Sequence, residues 1–160
     1  MSVAEPHEFL ERGADAEPSS FVRQFSVSTE LVADATLGGD VIFERSPLDF
    51  VAYLTSLGSL GRPSPAPSTL EMMVVRAGAA LREIDLLVVV VLDRYVHLAL
   101  DEDEDAELRT EMNDHLLDLL SDVPGDVTVL EIAGPRERRT QQLNDAYERM
   151  SPPFRHGRFT

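Results

Sequence analysis

The sequence predicts an α/β fold, a three-layer sandwich with a mostly parallel sheet between helices. Two observations carry that expectation. Short β-branched apolar runs alternate with longer segments of helical periodicity along the whole chain. The longest apolar run, "LLVVVVL" at 86–92, has no polar–apolar alternation, which is the pattern of a strand buried on both faces of a parallel sheet. At 160 residues the chain is long enough for one domain, expected over 1–150, with a loose tail over 151–160.

Taken in order, "SVA" at 2–4 is a short possible strand that runs into Glu5-Pro6. Residues 19–39 carry Phe21, Phe25, Leu31, Val32 and Ala35 at helical spacing and stop at Gly38-Gly39. Residues 40–44 form the next strand. The segment 46–61 then opens with a strong helix start: Ser46 as N-cap, Pro47 at the first helical position and Asp49 three after the cap. Its apolar face is built from Leu48, Val51, Ala52, Tyr53 and Leu54. "GRPSPAPS" at 61–68 reads as an exposed, mobile loop. Helices are expected over 68–84, 105–122 and 135–150, and strands over 85–92 and 126–132. No internal repeat is visible.

Composition excludes several functions. A net charge of -15 marks an acidic protein that repels phosphate backbones and anionic lipid, so neither nucleic acid nor a membrane surface is an expected partner. There is no cysteine, hence no disulfide, thiolate nucleophile or Cys-ligated zinc. The four histidines (His7, His97, His115, His156) show no i,i+4 pairing and predict no metal site; His97 and His115 read as partly buried structural residues. The first ten residues lack a basic start and an apolar core of signal-peptide length. The run 86–92 is far shorter than the ~20 residues that span a bilayer. A soluble cytoplasmic protein is the expectation. All fourteen basic residues are arginine, so no lysine can form a Schiff base or hold a phosphate.

Ligands of open parallel sheets bind beyond the carboxyl ends of the strands. The four strands leave into Glu5-Pro6, into Glu44-Arg45-Ser46, into Asp93-Arg94 and into Gly134-Pro135-Arg136. Acids and arginines would then line one rim, suited to anionic ligands: an acid can activate a hydroxyl or hold Mg²⁺, and a guanidinium fork can clamp a phosphate. The plainer reading stands beside this one. Glu44-Arg45 can be a solvated pair before an ordinary helix cap, "DEDEDAE" at 101–107 a solvated loop and helix start, and "RERR" at 136–139 an exposed helix face.

"DVIFERSPLDFVAYL" at 40–54 resembles the stretch in P-loop kinases of the deoxynucleoside-kinase kind where a strand ends in acid-Arg-Ser and a helix follows. "VAEPHEF" is similar to the Glu-Pro that closes their second strand, "LLVVVVLDR" to the strand before their lid, "LRTEMNDHLLDLL" to the helix after the lid, and "VTVLEIAGPRERRTQQL" to their last strand and helix. The resemblance implies an ATP-binding phosphotransferase acting on a nucleoside or other small hydroxyl-bearing substrate, with ATP and Mg²⁺ as cofactors. It implies Glu5 as general base, Glu44 as a group arranging base, water or Mg²⁺, Arg45 as the holder of substrate or phosphoryl group, and Arg94 as a lid arginine. Gly134, Pro135 and Arg138 would lie near the adenine.

The departure is large. Such kinases begin with a strand, a G-x-x-x-x-G-K-[ST] loop and a helix, and nothing in this sequence matches that unit. Their first strand is central, between the strands equivalent to 40–44 and 85–92. Its absence is expected to leave strand edges open to another chain, possible sites of homo-oligomer formation. A misassigned start, a degenerate member and completion by another chain are the three explanations. The 160-residue chain is therefore expected to be inactive as a kinase. The alternative is a non-catalytic α/β module that binds a ligand or a protein. A hydrolase using the clustered acids is a third reading, unsupported by any G-x-S-x-G motif.

Overall fold

A computed structural model describes residues 2–4, 17–35, 41–91 and 105–150. The elements in chain order are β1 (Ser2–Ala4), α1 (Pro18–Ala35), β2 (Val41–Phe43), α2 (Pro47–Ser59), α3 (Pro67–Leu81), β3 (Leu86–Val90), α4 (Ala106–Leu120), β4 (Thr128–Ile132) and α5 (Arg136–Met150). The α/β class and the order of elements match the sequence reading, with boundaries shifted by a few residues at most. All strand pairing among the described residues is parallel.

The described strands pair two by two. β1 pairs with β2 and β3 pairs with β4, giving two separate two-stranded sheets. The chain correspondingly divides into two compact units, Met1–Asp85 with Ala99–Val127, and Leu86–Leu98 with Thr128–Thr160.

In the first unit α1, α2 and α3 share a core. α1 sends in Phe25 and Val32, with Phe25 wholly buried. α2 is apolar on several sides and buries Leu48, Phe50, Val51, Leu54 and Leu57. α3 contributes Met73, Ala77 and Leu81, one residue per turn along a single stripe. α4 packs on α2 yet has no fully buried residue, so it covers the core as an outer layer. Its N-cap is Asp105, whose Oδ1 accepts from the Leu108 N–H at 3.0 Å. The end of the acidic run is thus a helix cap, in line with the plain reading.

The Pro-rich connection between α2 and α3 is tied back to α2 by two bonds. Arg62 N–H donates to Leu57 O at 2.8 Å, and Ser64 Oγ to Leu54 O at 2.7 Å. Gly61, Pro63, Ala66, Pro67 and Ser68 of the expected loop are exposed. The Arg62 bond satisfies a carbonyl that the end of α2 leaves free, and the Ser64 hydroxyl adds a bond to a carbonyl one turn earlier.

In the second unit β3 and β4 end together, with Val90 opposite Ile132. The Val91 N–H extends the ladder to Ile132 O at 3.1 Å. The expectation that the run 86–92 is covered on both faces holds only in part. Leu87 and Val89 are buried, whereas Val90 is 54% exposed. Continuous apolarity marks a strand but does not say how many neighbours cover it. α5 packs on β4, with Ile132 and Ala146 buried.

Candidate functional site

β1 and β2 run parallel in a register that sets Ala4 opposite Phe43, so both strands finish at the same rim. Glu44 and Arg45 follow Phe43 there, and both are exposed. Arg45 has φ 68°, the one non-glycine residue with positive φ among the described residues. The left-handed region costs an L-residue on the order of 1–2 kcal/mol, so neighbouring bonds must hold it. They do. Ser46, with φ -89° and ψ 164°, caps α2: its Oγ accepts from the Leu48 N–H at 3.2 Å. Asp49 Oδ2 accepts from the Ser46 N–H at 2.7 Å and from the Ser46 hydroxyl at 2.9 Å. This closed capping box fixes the first turn of α2 and turns the chain sharply at Arg45.

Further polar groups gather around Tyr53, two turns along α2. Burial raises the Tyr53 phenol above its ordinary 10.0; Arg62 pulls it down, Asp105 pushes it up and Arg45 pulls it down again. Arg62 Nη1 donates to Asp105 Oδ2, and this bond holds the Asp105 carboxyl below the ordinary 3.8. The Tyr53 ring lies against Phe21 of α1 with centroids 4.2 Å apart. One turn further along α1, Gln24 is only 6% exposed, and its Oε1 is buried with no hydrogen-bond partner among the described residues. A buried carbonyl left without a donor costs about 1–3 kcal/mol, so such an acceptor invites a water or ligand donor. Sequence reasoning passed over Gln24 because a glutamine in a helix is ordinarily solvated. The available signal was its place beside Phe25 and one turn before Ser28, on the apolar side of α1.

The second unit holds the residues expected near an adenine. Gly134 has φ 96°, and a Cβ there would come within 3.2 Å of Arg138 Cδ. The Arg138 side chain therefore lies over the glycine, and these two expected residues are in contact. Pro135 O accepts from the Arg139 N–H at 3.1 Å and starts α5. Beside this turn, Ile132, Arg136, Arg139, Thr140 and Leu143 line a shallow hollow of about 160 Å³. Arg139 Nε is buried and without a hydrogen-bond partner among the described residues.

Glu5, Asp93, Arg94 and His97 lie outside the described residues, as does the tail 151–160. His115 is half-buried in α4, with Nε2 2.9 Å from Ser59 Oγ and 3.8 Å from Glu111 Oε2. Both contacts fall on one ring nitrogen. A catalytic relay needs the acid on the other nitrogen, so the trio is a helix-to-helix tie, in keeping with a structural role. Among the described residues no three His, Asp or Glu side chains converge on a metal position, and no helix is long and apolar enough to cross a membrane. No family model, curated protein or solved structure matches the chain.

Proposed function

We propose that the chain is an ATP-binding phosphotransferase-like protein of the nucleoside-kinase kind, inactive in phosphoryl transfer as the 160-residue chain. The observation that carries this reading is the Glu44-Arg45 turn, an acid and a strained arginine at the common end of β1 and β2, clamped by the Ser46–Asp49 box. Strained backbone of this kind clusters at sites where a side chain must be aimed.

The described residues do not fit the phosphate end of a Mg²⁺-ATP complex. The chain has no lysine and no G-x-x-x-x-G-K-[ST] loop, and among the described residues no three His, Asp or Glu side chains converge on a metal position. No transfer step is therefore assigned to them. What they can do is bind and orient. The Arg45 fork takes an anionic group bidentately. Glu44 accepts a proton or hydrogen bond from a substrate hydroxyl or its water. The Gln24 carbonyl offers a buried acceptor to an N–H or O–H donor. The hollow at the start of α5 offers an apolar floor, Ile132 and Leu143, under two arginines.

Calorimetric titration of the chain with nucleosides, nucleotides and Mg²⁺-ATP tests the reading. Binding of a nucleoside or nucleotide, weakened by Arg45→Lys, together with no ATP turnover, is the expected result. Sustained turnover abolished by Glu44→Gln would overturn the inactivity. Failure of every nucleoside and nucleotide to bind would overturn the phosphotransferase reading in favour of a non-catalytic α/β module.

A further inference from the structure

α3 turns its buried stripe, Met73, Ala77 and Leu81, towards α1 and α2. At about 100° per residue, Glu71, Val75, Gly78 and Arg82 fall on the opposite side, spaced four, three and four residues apart. Met72 and Ala79 flank them. Val75 is 73% exposed and Met72 55%, the two most exposed large apolar side chains among the described residues. Glu71 and Arg82 are exposed, and no ion pair engages either one among the described residues. Arg76 is drawn off this face: its guanidinium stacks over the Phe25 ring at 5.4 Å and donates to Thr29 Oγ1 at 3.2 Å.

Gly78 is the informative residue. A glycine inside a helix is destabilising relative to alanine, so its presence calls for a close neighbour or an unusual backbone. Neither is found among the described residues. Gly78 is not among the positive-φ residues, and a Cβ built on it would meet nothing within 4 Å. The notch it leaves opens outwards.

We propose that α3 is the two-fold interface of a homodimer, packed antiparallel against the α3 of a second copy. The face is complementary to itself in size and in charge. A two-fold axis passing between Arg76 and Ala77 sets Val75 of one copy over the Gly78 notch of the other, and does so twice. The same axis sets Glu71 against Arg82, again twice. Reciprocal matching of this kind is what an isologous contact requires. The four-three-four spacing is that of a helix–helix seam, and the glycine lets the two helices approach closely. None of these residues belongs to the Glu44-Arg45 turn, so the proposal stands or falls independently of the assigned function.

Charge reversal tests the reciprocity directly. Wild-type protein is expected to sediment at twice the 17.7 kDa chain mass. Glu71→Arg alone sets arginine against arginine at both contacts, and Arg82→Glu alone sets acid against acid. Each should raise the dimer dissociation constant roughly tenfold or more. An equimolar mixture of the two variants restores both contacts and should form a heterodimer at near wild-type affinity. Gly78→Leu fills the notch and should also favour the monomer. All these side chains lie outside the core, and circular dichroism of each variant checks that it is folded. A wild-type monomer at the highest soluble concentration would overturn the proposal. So would a dimer that Glu71→Arg, Arg82→Glu and Gly78→Leu leave intact, or single-variant dimers that mixing does not strengthen.

Discussion

Replacing Arg45 separates its backbone from its side chain. At φ 68° an alanine keeps the left-handed strain and discards only the guanidinium; a glycine discards both. The strain amounts to about 1–2 kcal/mol. Glycine gives back about 0.5–1 kcal/mol through the greater freedom of the unfolded chain. Arg45→Gly should therefore be more stable than Arg45→Ala by about 0.5–1 kcal/mol. Arg45→Ala should stay within about 0.5 kcal/mol of wild type, because the side chain is exposed. With a urea m-value near 2 kcal/mol/M, the two variants should differ by about 0.3–0.5 M in unfolding midpoint, read by circular dichroism at unchanged slope. Both should lose the same ligand affinity, since both lack the fork. An alanine variant as stable as the glycine variant, or more so, would refute the strain and with it the main support for a purposely aimed arginine.

Other perturbations probe the surrounding structure. Ser46→Ala removes the cap of α2 and should cost about 1 kcal/mol in chemical denaturation, with Asp49→Ala similar because both cut the same box. Gln24→Leu replaces the orphaned buried carbonyl by an apolar group; the ligand-free protein should gain about 1 kcal/mol while losing affinity for any ligand that donates to Gln24. Leu54→Ala opens a cavity at a fully buried position of α2 and should cost about 3 kcal/mol. Asp105 has a folded-state pKa below its ordinary 3.8, chiefly through the Arg62 bond and then the Leu108 N–H. Its contribution is complete above 3.8 and is lost as pH falls through the lower folded value. Asp105→Asn should flatten the acid end of the stability–pH curve and leave the shape near neutrality unchanged.

How much of this was legible in the sequence depends on whether the deciding contact is local. The cap at Ser46-Pro47-Leu48-Asp49 is written into four consecutive residues, and it forms as read. The apolar run from Leu86 is a strand, as its valines require. The exposure of Val90, by contrast, depends on which strands come alongside, and four parallel segments settled into two pairs. Glu44 and Arg45 could be singled out from their position after a strand. The positive φ of Arg45 could not, because arginine is not a residue that announces that conformation. Gln24 was hidden for a related reason: the packing of α1 on α2 decides which turn of the helix goes dry, and helical period alone does not. The two bonds that tie the loop between α2 and α3 back to Leu54 and Leu57 could not be read locally, because they depend on where α2 ends and how the chain turns after it.

That anchored loop bears on the order of folding. α2, the connection and α3 are contiguous in the chain, and Gly58 fits so closely beneath Ser64 that an added Cβ would sit 3.3 Å from its hydroxyl oxygen. Closing so short a connection loses little chain entropy, whereas each parallel strand pair must first bring together segments separated by an intervening helix. The helical hairpin should therefore be in place before either strand pair is zipped. Slowing its closure with Gly58→Val should lengthen refolding far more than it hastens unfolding.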